Sequence, residues 1–128
     1  MYNQHLPHLL LHLLHAMEWL RLRHKLIPFL YTCAHRTHTE GIALIEPLYY
    51  EWDTPIAYEM PNEYLFGGQL LVAPITTPMQ NGFAKTKAWL PAGTWTDIFT
   101  GDEYSALKDK SFEMQRDLES IPVLAKSG

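Results

Sequence analysis

One cysteine, Cys33, in 128 residues excludes an internal disulfide. Packing alone must therefore hold the chain together, and a reducing, cytoplasmic compartment is the simpler expectation. A basic excess is missing as well: the formal net charge of −4 provides no electrostatic footprint for nucleic acid. Long apolar runs are absent too. Leu6 to Leu14 is interrupted by His8 and His12 and falls short of the roughly 20 residues that span a bilayer. No cationic segment precedes it and no small-residue cleavage site follows, so it does not read as a signal peptide. The chain also lacks a phosphate-binding glycine loop, a Gly-x-Ser-x-Gly elbow and a Cys-x-x-Cys pair. Those three chemistries drop out.

What remains is a composition of ordinary globular type, with 47% apolar and 19% charged residues. The length suits one domain rather than two. Glycine and histidine are unevenly placed. Residues 1–40 hold all seven histidines and no glycine, with four Lys or Arg against two acids, whereas residues 41–128 hold every glycine and twelve acids against six Lys or Arg. Two structural regimes meet near Gly41.

In the first regime Leu6, Leu9, Leu10, Leu13, Leu14, Met17 and Leu20 fall on one broad face at helical spacing. Pro7 suits the first turn of such a helix. Pro28 lies inside the continuing apolar pattern and has no N–H for the carbonyl of residue 24, so the helix should bend or break there. Gly41 supplies the stop. The expected fold class is α+β, mainly β: an N-terminal helix bent or broken near Pro28, followed by an antiparallel β-sandwich.

The sandwich expectation comes from short aromatic and β-branched runs separated by turn residues. Strands are predicted over Ala43 to Trp52, Tyr64 to Phe66, Gln69 to Ile75, Phe83 to Leu90, Thr94 to Phe99 and Ile121 to Leu124. Asn81-Gly82, Pro91-Ala-Gly93 and Thr100-Gly101 punctuate them. Gly67-Gly68 is expected to form a two-residue hairpin loop, with a bulge in one bent strand as the alternative.

Candidate chemistry is sparse. His5, His8, His12 and His15 share one helical side, and a pair one turn apart could grip zinc, but no cysteine or carboxylate completes the set. A solvated polar face is the expectation, and no metal or cofactor is assigned. Cys33 with His35 and His38 does not make a nucleophile pair, because residues two apart on a helix diverge. Paired carboxyl groups roughly 5 to 10 Å apart can serve as general acid and as nucleophile or base. Glu46, Glu51, Asp53, Asp97 and Asp102 are available for such work, although surface acids are the usual fate of such residues. Trp52, Trp89 and Trp95 could stack on sugar rings, or fill a core. No catalytic residue is assigned.

Two stretches carry further information: Glu63-Tyr-Leu-Phe-Gly-Gly-Gln-Leu-Leu-Val-Ala-Pro-Ile75 and Leu90-Pro-Ala-Gly-Thr-Trp-Thr-Asp-Ile-Phe-Thr-Gly101. Together with Arg23-His-Lys-Leu-Ile-Pro-Phe-Leu-Tyr-Thr32, Gly41-Ile-Ala-Leu-Ile-Glu-Pro-Leu48 and Ser120-Ile-Pro-Val-Leu-Ala-Lys-Ser-Gly128, they resemble, in the same order, the end of glycoside hydrolase family 31 enzymes, the α-glucosidases and α-xylosidases.

The resemblance implies that residues 1–40 are the last helical layer of a (β/α)8 barrel and residues 41–128 most of the proximal C-terminal β-sandwich. The start at Met1 and the stop at Gly128 then look like fragment boundaries. The parent enzyme would hydrolyse terminal α-glycosidic bonds with retention, through two aspartates in earlier motifs of the Trp-x-Asp-Met-Asn-Glu type. Neither motif occurs here, so the chain is expected to lend structural support and to be inactive alone. Its partners would be the rest of the barrel and, in the parent, an α-glucoside. The alternative is a stand-alone carbohydrate-binding module. Glu46 stands where many family members have arginine and Ala43 where they have proline, which suggests a divergent subgroup; Gly68 takes the place of a common aspartate, a change that bears on a turn and on no catalytic role. Without its barrel, the leucine stripe should drive self-association.

Overall fold

The computed structural model describes residues 5–127, with side chains from His8 onward. Met1, the side chains of His5, Leu6 and Pro7, and Gly128 lie outside the described residues. The chain divides into two compact units, residues 1–41 and 42–128.

The first unit is helical. Helix α1 runs His5–Lys25 and α2 runs Ile27–Glu40, separated at Leu26. The helix is broken rather than bent, and the backbone shows why. Pro28 lies in the first turn of α2, where a missing N–H is harmless, while the N–H of Leu30 resumes the ladder on the Leu26 carbonyl at 2.8 Å. Gly41 ends α2 in the left-handed region, φ 72°, and its N–H caps the Thr37 carbonyl at 3.1 Å. A residue with a Cβ would pay for that conformation. Leu9, Leu10, Leu13, Leu14, Met17 and Leu20 are all exposed. No described helix is long and apolar enough to cross a membrane.

The second unit opens with β1 (Ile45–Pro47), then two single-turn helices, α3 (Leu48–Glu51) and α4 (Pro55–Tyr58). The strand expected over Ala43 to Trp52 is thus mostly not a strand. Leu48 and Trp52, four apart, both turn into the core, a spacing that a helical turn satisfies and an extended chain does not. The N–H of Trp52 on the Leu48 carbonyl at 2.9 Å closes the turn.

Strands β2 (Tyr64–Phe66), β3 (Leu70–Val72), β4 (Ala84–Leu90), β5 (Gly93–Asp97), β6 (Glu103–Ala106), β7 (Lys110–Arg116) and β8 (Val123–Lys126) follow. All pair antiparallel, in a six-stranded sheet of order β1-β2-β3-β8-β5-β6 and a two-stranded sheet of β4 and β7. Gly67 and Gly68 do reverse the chain, with φ of 62° and 71°, but the Phe66–Leu70 pairing makes the loop three residues long rather than two. No bulge is needed.

Both sheets feed one core. Leu65, Leu71, Trp95 and Leu124 of the larger sheet pack with Ala88, Trp89, Leu90 and Met114 of the smaller. Trp89 and Trp95 are each 1% exposed. Burying an aromatic or large aliphatic side chain stabilises by about 1.5 to 3 kcal/mol, so these residues settle the facing of the sheets. Strands β6 and β7 fall where none was expected, and there Ala106, Phe112 and Met114 supply the inward positions.

Candidate functional site

The carboxylates of the β unit are best read one by one. Asp97 closes β5, and its side chain is 0% exposed. Its Oδ1 accepts the N–H groups of Phe99 at 2.8 Å and Thr100 at 3.2 Å, while Oδ2 pairs with the guanidinium of Arg116 at the end of β7. An aspartate at the start of a turn organises the loop in this way because its short side chain reaches the amides two and three residues on. Asp102 closes the same turn, accepting from Thr100 Oγ1 at 2.8 Å. Thr100 therefore joins two of the five candidate carboxylates. With both of its oxygens engaged and no exposure, Asp97 cannot touch a substrate.

The other candidates do not gather at that turn. Glu46 lies half-buried on β1, opposite Leu65, Glu51 is exposed on α3, and Asp53 follows in the link to α4. Asp53 accepts the hydroxyl of Tyr58 at 3.1 Å.

One buried acid escaped the candidate set. Glu63 precedes β2 and is 4% exposed. Its Oε2 accepts the backbone N–H of Trp89 at 2.8 Å. Among the described residues strand β4 pairs only with β7, and no other strand lies along its second edge. A buried N–H left without an acceptor there would be costly. Glu63 meets that need from the neighbouring sheet. Burial pushes its carboxyl up to about 8, against the opposing pull of the Trp89 N–H. Oε1 has no hydrogen-bond partner among the described residues, and Glu63 borders a cavity of about 200 Å³, with Lys85, Thr86 and Lys87 among its other lining residues. The visible signal was the two-residue spacing of Glu63 and Leu65, which puts both on the same side of the extended chain.

A raised carboxyl is a common mark of catalysis. Here it comes with a backbone bond and almost no exposure, which is the arrangement of a fastening. The tryptophans are equally occupied. Trp95 Nε1 donates to the Pro91 carbonyl at 3.0 Å, and Trp52 meets Trp89 edge to face at 5.4 Å. Trp89 and Trp95 fill the core and present no face to a sugar.

The helical candidates are simpler still. His8 Nδ1 and His12 Nε2 lie 3.0 Å apart on the exposed side of α1, and the described residues include no cluster of three or more potential metal ligands. Cys33 is a free, buried thiol, and both His35 and His38 are exposed.

Exposed aromatics collect elsewhere. Tyr49 and Tyr58 stack with ring centres 4.8 Å apart and planes 5° from parallel, and Tyr50 meets Tyr49 nearly edge-on at 5.4 Å. Tyr49 and Tyr50 lie inside the run that reads as a strand, Ala43 to Trp52, and Tyr58 lies between that run and the next.

Comparison with known proteins gives the arrangement a lineage. Residues 41–128 match the model of the glycosyl hydrolase family 31 C-terminal domain. The chain is 33% identical over 113 residues to alpha-glucosidase 2 of Bacillus thermoamyloliquefaciens, covering 87% of this chain and 14% of that protein. Among solved structures it superposes on a family 31 alpha-xylosidase from a soil metagenome complexed with xylose, with TM-score 0.73 and 30% identity, covering 84% of this chain and 15% of that one. A cycloalternan-degrading enzyme from Trueperella pyogenes gives TM-score 0.74 and 26% identity over 84% of this chain and 14% of that one. The chain spans about one seventh of the length of these relatives.

Proposed function

Since the chain belongs to glycoside hydrolase family 31 and corresponds to its C-terminal domain, we propose that it serves as a supporting part of a retaining α-glycosidase of the α-glucosidase or α-xylosidase kind. The observation that carries this reading is the use made of its buried acids. Asp97 ties β5 to β7, and Glu63 ties the entry of β2 to the open edge of β4. Both fasten strands of one sheet to strands of the other. A β unit whose buried carboxylates are spent on its own architecture suits a scaffold on which a catalytic barrel rests.

On this reading residues 1–40 complete the helical layer of that barrel, the hydrolysed bond is a terminal α-glycosidic linkage, and the nucleophile and acid/base aspartates belong to the barrel. The site of action is cytoplasmic, in keeping with the single thiol. The exposed leucine and methionine side chains of α1 would be covered by the barrel, and in its absence they would associate with those of a second copy.

The test has two arms. Purified alone, the chain should hydrolyse maltose and aryl α-glucosides no faster than buffer. Co-expressed with a family 31 barrel from which the equivalent segment has been deleted, it should raise the recovered soluble activity. Turnover by the purified chain, or no rescue by it, would overturn the proposal.

A further inference from the structure

Between β1 and β2, residues 48–58 form α3, α4 and their link, and they display three tyrosines to solvent. Tyr50 is 70% exposed and Tyr58 is 58% exposed, although Tyr49 stacks against one face of Tyr58. The rings are held before any ligand arrives. Tyr49 and Tyr58 lie parallel, and the Tyr58 hydroxyl is tied to Asp53 Oδ1 at 3.1 Å. Fixing side chains in advance removes part of the entropy that binding would otherwise cost.

We propose that Tyr49, Tyr50 and Tyr58, rimmed by the Asp53 carboxylate, form a binding platform for the pyranose units of an α-linked oligosaccharide. A pyranose offers a flat C–H face ringed by hydroxyl groups, and its complement is an aromatic surface edged with hydrogen-bond acceptors. Residues 48–59 provide both. They contain three tyrosines and the acids Glu51, Asp53 and Glu59, without a lysine or arginine. Anionic ligands such as phosphates and nucleic acids are therefore disfavoured, and a neutral ligand rich in hydroxyl groups is favoured. Two phenol hydroxyls beyond the one engaged with Asp53 add donors at the rim. Protein surfaces bind through similar aromatics, but at a largely apolar centre depleted of charge; acids interleaved with the rings fit sugar better. The choice of an α-linked sugar rests on the glycosidase reading above.

Maltotriose and isomaltotriose are the probes, added to the 128-residue chain and followed by saturation-transfer NMR and by protection of the tyrosines from nitration. Saturable binding at roughly millimolar concentration, with Tyr50 and Tyr58 protected, is the expected result. Tyr50→Ala and Tyr58→Ala should each weaken binding about tenfold, whereas Tyr58→Phe, which keeps the ring, should weaken it only about threefold. Circular dichroism should not change, and Tyr50→Leu, which keeps apolar area but loses the ring, should bind as poorly as Tyr50→Ala.

Absence of saturation for both sugars would overturn the platform. So would binding that survives Tyr50→Ala, or protection of these tyrosines by a family 31 barrel but not by sugar, which would make the face a protein contact. If the chain rescues a truncated enzyme yet its tyrosines ignore sugar, the supporting role stands and the platform falls. Sugar binding without rescue would mean the reverse.

Discussion

The carboxyl group of Glu63 receives the backbone N–H of Trp89 across 26 residues of sequence, at 2.8 Å, and so takes the place of an absent strand along β4. Its second oxygen has no hydrogen-bond partner among the described residues, and burial favours the proton-bearing form.

This arrangement makes stability depend on pH in a definite direction. The folded carboxyl titrates at about 8 against an ordinary value of 4.5. The folded state therefore holds a proton that the unfolded chain releases, and the stabilisation is complete below about pH 4.5 and lost as pH rises through 8. Up to about 5 kcal/mol is at stake. Urea midpoints measured from pH 6 to 9 should fall for the natural chain. In Glu63→Gln, which keeps an acceptor for Trp89 but has no proton to lose, this slope should vanish; an unchanged slope would refute the assignment.

Asp97 and Arg116 give a second test. Asp97→Asn would leave a guanidinium largely buried without its counter-charge, which costs about 3 to 5 kcal/mol. The double variant Asp97→Asn with Arg116→Met should recover a good part of that loss in denaturant titrations. If the two effects merely add, the pair is not coupled.

The phenol of Tyr58 is raised above the usual tyrosine value by its hydrogen bond to Asp53 and by the charge of that carboxylate. Asp53→Asn should bring it back down. Ultraviolet titration of the chain, compared with Tyr58→Phe to isolate this phenol, reads the change directly.

The helical unit makes a prediction about association. Leu13 and Leu20 are both exposed on α1, and charges there should dissolve any self-contact. Sedimentation at high protein concentration should show oligomers for the natural chain and a monomer for Leu13→Glu with Leu20→Glu. A monomeric natural chain would sink the idea.

Much of the fold was legible wherever local chemistry decides. Pro28 cannot donate inside a helix, Gly41 can enter the left-handed region, and both act on the backbone within a few residues. Strand β2 and the glycine reversal after it follow from equally short-range rules. By contrast β7, with the sequence Lys-Ser-Phe-Glu-Met-Gln-Arg, lies in a stretch for which no strand is predicted. It is a strand because β4 pairs with it along its whole length and because Phe112 and Met114 find the core. Leu48 to Trp52 erred the other way: its aromatic run suggested a strand, and the demand that residues four apart both point inward made it a helical turn.

The candidate site divides in the same manner. The amino-acid order determined which acids and aromatics were present, the break between two helices, and the likeness to a glycosidase family. Only the folded chain decided that Asp97 and Glu63 are fasteners, that Trp89 and Trp95 are core rather than sugar platforms, and that Tyr49, Tyr50 and Tyr58 share a surface. The reason is physical. Turns and caps arise from torsions and hydrogen bonds among neighbours, whereas a carboxyl group's role depends on what lies within about 3 Å of it, and those partners come from strands far apart in the chain.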